Sequence, residues 1–359
     1  MSNKQIKIMH IVGARPNFVK AAPVIAAISK QTNFQQLLVH TGQHYSTRLS
    51  DSFFKQLNIP HPDINLGIGS SPTHGQQTAK LLKSIENYLI QKNPDLVMVY
   101  GDVNSTLAAA LAASKLNIKL AHVESGLRSG DRTMPEEINR IVTDSLSNIK
   151  FVTESSGLIN LLKEGSDPKS VHLVGNTMID SLCTVASPRK DKLALGPILL
   201  TCHRPSNVDT KEGIKKILKM CGEIANEIIF PVHPRTRQKI KDFKLTKAFE
   251  SMHHLQMVEP MDYLSFIQQM QKSIAVITDS GGIQEETTYL GIPCLTIRKN
   301  TERPVTITAG TNILTPELSD IKTALHNIKS DVYKLGKIPP GWNGKASEKI
   351  AKILLDYFN

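Results

Sequence analysis

Cysteine is scarce in this chain, with four among 359 residues: Cys183, Cys202, Cys221 and Cys294. No two of them form a C-x-x-C pair or another ligand spacing, which argues against a thiolate metal site. Each lies in or beside an apolar run, so we expect reduced and mostly buried thiols. The sequence therefore predicts no metal site.

Long apolar runs and aromatic residues are also scarce. No window approaches the roughly 18 apolar residues of a membrane helix, and residues 6–13 are too short and interrupted for a signal sequence. Aromatic residues make up 5%, and no RNA-binding or helix-turn-helix motif is present. We therefore expect a cytoplasmic protein with no membrane insertion and no nucleic-acid partner. The formal charge of +11 favours anionic partners such as phosphorylated metabolites.

Short apolar runs alternate with longer amphipathic stretches along the whole chain, which is typical of parallel sheets covered by helices. The predicted strands are residues 6–13, 36–42, 95–102, 118–126, 150–154, 171–175, 198–202, 228–232, 255–258, 274–278 and 294–297. A polar, proline-containing linker at residues 186–192 interrupts the pattern. We predict an α/β fold of two doubly wound, Rossmann-like domains facing each other across a cleft. The predicted parts are residues 1–185, residues 186–345, and a C-terminal helix at 346–359 that packs back on the first domain.

Ligands of open parallel sheets bind at the carboxyl ends of the strands, so the residues there are site candidates. The first strand ends in Gly13, and Arg15 and Lys20 follow around a helix start, where free N–H groups favour an anion. The spacing is not G-x-G-x-x-G, so a dinucleotide fingerprint is absent. Lys20 fits a surface helix position equally well.

Carboxylates follow two further strands. Asp102 and Glu124 each end a strand, and Glu136 opens the next helix. A strand-terminal carboxylate is seldom needed for folding, so we favour a functional role for Asp102 and Glu124. Glu136 or Glu137 also suits a helix N-terminus, and Glu136 is spaced to form an i,i+4 pair with Arg140.

The second half carries its polar residues at corresponding places. His203 and His233 each follow a strand, and residues 278–286 read Thr-Asp-Ser-Gly-Gly-Ile-Gln-Glu-Glu between a strand and a helix. The Ser-Gly-Gly part offers a hydroxyl and exposed N–H groups for a diphosphate. Glu286 lies one turn into the helix, where it can accept from ribose hydroxyls, and Arg303 adds a cation further along.

Taken together, these strings resemble the non-hydrolysing UDP-N-acetylglucosamine 2-epimerases, a family with the two-domain GT-B architecture. The matching segments cover essentially the whole chain and lie at residues 13–20, 41–44, 100–102, 122–128, 135–140, 175–177, 201–204, 279–286 and 301–304. Some positions depart from the family pattern. Ser125 replaces a common Ala, residues 205–207 read Pro-Ser-Asn where many members carry Glu-Asn, and the string at 233–236 is His-Pro-Arg-Thr. That last string resembles a branch that acts on modified UDP-N-acetylglucosamine derivatives.

The resemblance implies an isomerase that converts UDP-N-acetylglucosamine to UDP-N-acetylmannosamine for surface polysaccharide synthesis. It implies elimination of UDP, a 2-acetamidoglucal intermediate and re-addition, with no cofactor, in a homodimer. The implied catalytic residues are Lys20, Asp102, Glu124, Glu136 and His203. Of these, Lys20 and the three carboxylates are implied to surround the sugar. The implied residues that bind UDP or substrate are Arg15, His44, Met261, Phe266, Ser280, Gly281, Gly282, Glu286 and Arg303.

Three alternatives remain beside this reading. The substrate can be a modified derivative such as a diacetamido uronate. A hydrolysing epimerase is disfavoured, because those relatives lack the Arg-Pro…Lys and Pro-Glu-Glu strings present here. A GT-B glycosyltransferase shares the UDP site but usually needs one base, so three acids at the sugar argue against it.

Overall fold

Two parallel sheets form the framework of the computed structural model, which describes residues 5–42, 59–189 and 195–359. The chain divides into two compact units. Unit 1 comprises residues 1–184 and 340–359, and unit 2 comprises residues 185–339.

The sheet of unit 1 has seven strands in the order β3-β2-β1-β4-β5-β6-β7. They are β1 (Ile6–Val12), β2 (Phe34–His40), β3 (Ile64–Asn65), β4 (Leu96–Tyr100), β5 (Lys119–Ser125), β6 (Ile149–Val152) and β7 (Val171–Leu173). The described helices of this unit are α1 (Arg15–Ile28), α2 (His74–Lys92), α3 (Asn104–Lys115), α4 (Pro135–Leu146), α5 (Ser155–Lys163) and α6 (Thr177–Cys183). The strand order reverses between β1 and β4, and the segments after β1, β4 and β5 therefore meet at one edge.

The sheet of unit 2 has six strands in the order β10-β9-β8-β11-β12-β13. They are β8 (Ile198–Thr201), β9 (Ile228–Pro231), β10 (Leu255–Val258), β11 (Ala275–Thr278), β12 (Cys294–Thr296) and β13 (Asn312–Leu314). Its helices are α7 (Pro205–Val208), α8 (Lys211–Glu223), α9 (Pro234–Asp242), α10 (Thr246–Glu250), α11 (Tyr263–Lys272), α12 (Gly281–Leu290), α13 (Pro304–Thr308) and α14 (Leu318–Lys329). The order reverses between β8 and β11.

The last segment of the chain belongs to unit 1. At the N-terminus of helix α15 (Ala346–Phe358), the buried carboxylate of Asp180 accepts hydrogen bonds from the backbone N–H groups of Ala346 and Ser347. The indole of Trp342 is buried and donates to the Thr153 carbonyl at 3.1 Å. These contacts tie residues 340–359 to the body of unit 1.

The predicted α/β class is confirmed, since every predicted strand is present and the strands pair in parallel. Helix α1 begins at Arg15, earlier than the start near Phe18 that the apolar pattern favours, because Pro16 suits the first turn of a helix. Strands β3 and β13 were not predicted. Cys202, Cys221 and Cys294 are buried as expected. Among the described residues, no helix is long and apolar enough to cross a bilayer.

Candidate active site

A buried ion pair joins α1 to the end of β5. The Lys20 Nζ atom lies 2.7 Å from Oε1 and 2.6 Å from Oε2 of Glu124, and both side chains are at most 5% exposed. Gly101, at the end of β4, lies over this pair, since a Cβ added there would be 3.0 Å from Lys20 Nζ. Lys20 is therefore a buried residue at the strand ends of unit 1, and the surface-helix reading of it is wrong.

The backbone of Glu124 is irregular. Its φ is +77°, a value that side-chain-bearing residues seldom adopt, and the pairing of β5 with β6 shifts register between Val123 and Ser125. Such bulges re-aim side chains and are frequent beside active sites. Here the irregularity leaves the carboxylate of Glu124 directed at Lys20. Backbone strain of this kind typically costs about 1–3 kcal/mol and persists only where the surroundings hold it.

Asp102 is fixed from α4. Its Oδ2 atom pairs with Arg140, and its carbonyl accepts from Asn139 Nδ2 at 2.8 Å. The Arg140 guanidinium is buried, whereas the Asp102 side chain is 21% exposed. The carboxylate of Asp102 is therefore held on one side by a buried cation and remains accessible on the other.

The i,i+4 pair predicted as an alternative role for Glu136 is not formed. Arg140 Nη1 instead pairs with Glu137 at 2.8 Å, and Glu137 accepts from the N–H groups of Ser129 and Gly130 at 2.9–3.0 Å. Spacings of three and four residues lie on the same helix face, so the sequence alone does not choose between them. Glu137 is the buried structural acid, and Glu136 is half-buried in the first turn of α4.

Two predicted binding residues of unit 1 fall outside the described parts. His44 lies outside the described residues, and the side chain of Arg15 is likewise not described, although Arg15 starts α1. Within the described residues, no group of three or more His, Cys, Asp or Glu side chains is arranged to hold a metal ion.

In unit 2, one buried carboxylate organises the segment after β8. Asp279 accepts from the backbone N–H of His203 at 3.1 Å, from that of Arg204 at 2.9 Å and from Asn207 Nδ2 at 3.0 Å. The His203 ring is 42% exposed, with Nδ1 at 3.3 Å from Asp279. Asp279 was not predicted as a site residue. It follows β11 directly, so the strand-end criterion that selects Asp102 also selects Asp279.

The guanidinium of Arg303 lies beside the N-terminus of α12. Ser280 is the N-cap residue and makes no side-chain capping hydrogen bond. A Cβ added to Gly281 would lie 2.4 Å from Arg303 Nη1 and 2.7 Å from Glu302 Oε1, so only glycine allows this close approach. A cation beside the positive end of a helix dipole favours an anionic ligand.

Two buried acids hold three arginines near this helix start. Arg303 pairs with Glu285 through Nε at 2.9 Å and with Glu302 through Nη1 at 2.5 Å. Glu302 also pairs with Arg298 at 2.9 Å and lies 3.5 Å from Arg204. The cluster holds one more positive than negative charge, and Arg204 and Arg298 are members that the sequence did not single out.

The remaining predicted residues of unit 2 lie on or beside α11 and α12. Met261 precedes α11 and Phe266 lies within it, both half-buried, while Gly282 occupies the first turn of α12. Glu286 is buried one turn further along. Burial raises the pKa of Glu286 to about 8; the adjacent Tyr263 hydroxyl lowers it and the charge of Glu285 raises it.

The raised pKa of Glu286 predicts a pH-dependent stability. Between about pH 4.5 and about pH 8 the folded chain keeps a proton on Glu286 that the unfolded chain releases, so rising pH favours unfolding in this window. Below the window both states are protonated, and above it both are ionised. As the pH rises across this window, we expect the free energy of unfolding of Glu286→Gln to increase relative to that of wild type by on the order of 5 kcal/mol. Paired thermal unfolding at several pH values measures this; a difference that is constant with pH contradicts it.

Comparison with known proteins identifies the family. The model of the family described as UDP-N-acetylglucosamine 2-epimerase matches residues 26–355. A UDP-N-acetylglucosamine 2-epimerase of Methanocaldococcus jannaschii is 42% identical over 97% of this chain and 99% of the relative. A UDP-2,3-diacetamido-2,3-dideoxy-D-glucuronate 2-epimerase of Pseudomonas aeruginosa is 40% identical over 97% and 99%.

A solved structure supports the same family assignment. The crystal structure of the M. jannaschii UDP-GlcNAc 2-epimerase in complex with UDP-GlcNAc and UDP superposes with a TM-score of 0.90 at 41% identity, covering 98% of this chain and all of that one. The match extends over both units, and the architecture is GT-B-like. The chain therefore belongs to the UDP-N-acetylglucosamine 2-epimerase family.

Proposed function

We propose that this protein is a non-hydrolysing epimerase that converts UDP-N-acetylglucosamine to UDP-N-acetylmannosamine. One observation carries the proposal. In a chain of this family, the buried Lys20–Glu124 ion pair and the accessible carboxylate of Asp102 lie at neighbouring strand ends. A reaction that moves a proton from one face of a carbon to the other needs both an acid and a base. Unit 1 supplies several ionisable groups of both signs for that purpose.

The proposed reaction proceeds by elimination and re-addition. A base removes the C2 proton while the C1–oxygen bond breaks, and that bond's electron pair leaves with UDP. The products of this half are 2-acetamidoglucal, with a C1–C2 double bond, and UDP. UDP oxygen then adds back to C1 while an acid protonates the opposite face of C2. In this proposal Lys20, Asp102, Glu124 and Glu136 surround the sugar, and no cofactor is required.

Unit 2 is proposed to hold the leaving group. Arg303 and the start of α12 place a guanidinium and helix N–H groups together, which suits a diphosphate that gains negative charge as it leaves. The proposed diphosphate ligands are His203, Ser280, Gly281, Gly282 and Arg303, with Arg15 from unit 1. Glu286 is proposed to accept from the ribose, Met261 and Phe266 to contact the uracil, and His44 to contact the substrate.

Proton NMR in D2O tests the reaction. We expect UDP-N-acetylglucosamine incubated with the enzyme to become UDP-N-acetylmannosamine carrying deuterium at C2, with some 2-acetamidoglucal and UDP released on long incubation. Product that retains its C2 proton excludes elimination. Release of free N-acetylmannosamine identifies a hydrolase, and unchanged substrate that turns over only when an acceptor is added identifies a glycosyltransferase.

A second candidate substrate is a diacetamido uronate derivative. It is supported by the P. aeruginosa relative, which is named for UDP-2,3-diacetamido-2,3-dideoxy-D-glucuronate, and by the His233-Pro-Arg-Thr string. The kcat/KM values for this compound and for UDP-N-acetylglucosamine, measured side by side, decide between them. The higher value identifies the preferred substrate.

We further propose that the protein works as a cytoplasmic homodimer and supplies a precursor of surface polysaccharide. The support for these points is the family to which the chain belongs. Analytical ultracentrifugation tests the dimer: a single species at twice the chain mass of 39.7 kDa is expected, and a monomer at working concentration contradicts it.

A further inference from the structure

A buried histidine links the two turns that carry Asp102 and Glu124. The His122 ring is fully buried within β5, and its Nε2 atom lies 2.8 Å from the carbonyl oxygen of Gly101. Its Nδ1 atom lies 2.7 Å from Asp144 on α4. Gly101 is the residue directly before Asp102, so this ring contacts the backbone that presents the Asp102 carboxylate.

Asp144 holds the other turn. While Oδ1 faces His122, Oδ2 accepts from the Gly126 N–H at 3.0 Å and from Arg128 Nη1 at 2.8 Å. Gly126 lies two residues after Glu124. The same buried carboxylate therefore connects both chain segments, directly at Gly126 and through His122 at Gly101.

Both turns contain residues with positive φ angles. The φ angles are +63° at Gly101, +77° at Glu124 and +83° at Gly126. The Gly101 N–H also donates to the Val123 carbonyl at 3.0 Å, which keeps the two turns adjacent. Glycine adopts such angles without strain, so Glu124 is the residue whose backbone neighbouring groups must hold in place.

We propose that His122 and Asp144 are positioning residues that hold the Gly101–Asp102 turn in register with Glu124 for the epimerisation. The inference rests on the proposed function, since it assigns Asp102 and Glu124 to the reacting sugar. Neither His122 nor Asp144 touches the substrate in this arrangement. They act through the backbone, and a displacement of about 1 Å at a reacting group can cost on the order of 100-fold in rate.

The partners of Asp144 favour its ionised form. Both ring nitrogens of His122 face oxygen atoms. Burial alone would raise the pKa of Asp144, but His122 and Arg128 outweigh it and the pKa is lowered. Arg128 in turn pairs with Glu164 at 2.7 Å. An ionised Asp144, in contact with His122, Arg128 and the Gly126 N–H, anchors both turns.

Two substitutions of His122 separate the two hydrogen bonds. Glutamine reaches as far as Nε2 and can still donate to the Gly101 carbonyl, whereas asparagine reaches only as far as Nδ1 and can donate only toward Asp144. We expect His122→Gln to retain kcat within about tenfold of wild type and His122→Asn to lose about 100-fold or more, with KM and UDP affinity unchanged in both. Equal kcat in the two variants overturns the positioning role of the Gly101 contact.

Asp144→Asn and Asp180→Asn form a matched pair. Both aspartates are buried in unit 1 and accept from backbone N–H groups, but Asp180 does so at the start of α15 rather than at either turn. With each variant assayed below its own unfolding temperature, we expect a fall in kcat of about 100-fold for Asp144→Asn alone. A similar kcat in the two variants overturns the proposal.

A structural readout keeps this inference separate from the proposed function. Wild-type enzyme that leaves every UDP-sugar unchanged contradicts the proposed function. Crystal structures of wild type, His122→Gln and His122→Asn then still test the placement. A Gly101–Asp102 turn displaced by about 1 Å only in His122→Asn supports it, and an unmoved turn in all three overturns it.

Discussion

Replacing Glu124 by glutamine is expected to lower kcat by roughly 10²- to 10⁴-fold while UDP binds as tightly as before. The amide keeps the shape of the side chain but can neither accept a proton nor carry a charge. UDP affinity is spared because the proposed diphosphate ligands, apart from Arg15, lie in unit 2. Initial rates with UDP-N-acetylglucosamine and calorimetric titration with UDP measure the two quantities.

Stability must be separated from chemistry in this test. Glu124→Gln leaves the buried Lys20 ammonium without its counter-charge, and breaking a buried pair on one side is strongly destabilising. The double variant Lys20→Met/Glu124→Gln removes both charges, so thermal stability should recover while turnover does not. Asp180→Asn controls for loss of a buried carboxylate elsewhere in the unit. A Glu124→Gln enzyme with near-wild-type kcat removes Glu124 from the reaction.

The fold was predictable because strand–helix alternation is a local signal. Buried parallel strands such as β4 and β11 are continuous apolar runs, and the polar residue that follows each one marks the carboxyl edge of the sheet. This rule predicts Asp102 and Glu124 from the sequence. Applied to β11, the same rule also selects Asp279.

Other features depend on side-chain directions that sequence spacing does not encode. Arg140 pairs with Glu137 and with Asp102, which lies 38 positions away, and nothing local distinguishes Glu137 from Glu136. The approach of Arg204 to Glu302 likewise brings together two separate segments of unit 2. Long-range pairs of this kind become visible only when the sheet has brought its loops together.

Gly281→Ala is expected to weaken UDP binding by roughly 10- to 100-fold, because the added methyl group occupies space that the Arg303 guanidinium uses. The new Cβ would lie 2.4 Å from Nη1 of Arg303 and 2.7 Å from the Glu302 carboxylate, and neither group is free to swing away. Arg303 is held through Nε by Glu285 as well, so moving it breaks ion pairs inside a buried cluster. Calorimetric titration with UDP reports the loss directly.

The matched control is Gly222→Ala, another helical glycine of unit 2. A Cβ there would meet only the terminal methyl of Met252 at 3.3 Å, which a flexible side chain accommodates. Alanine favours a helix over glycine by about 1 kcal/mol, so this variant should bind UDP normally and be at least as stable as wild type.

If Gly281→Ala also binds UDP normally, Arg303 does not have to lie against the start of α12 for the diphosphate to bind. If both variants lose affinity, the effect belongs to the stability of unit 2 rather than to its anion site. Loss in Gly281→Ala alone requires the diphosphate to sit where the helix start and the guanidinium meet.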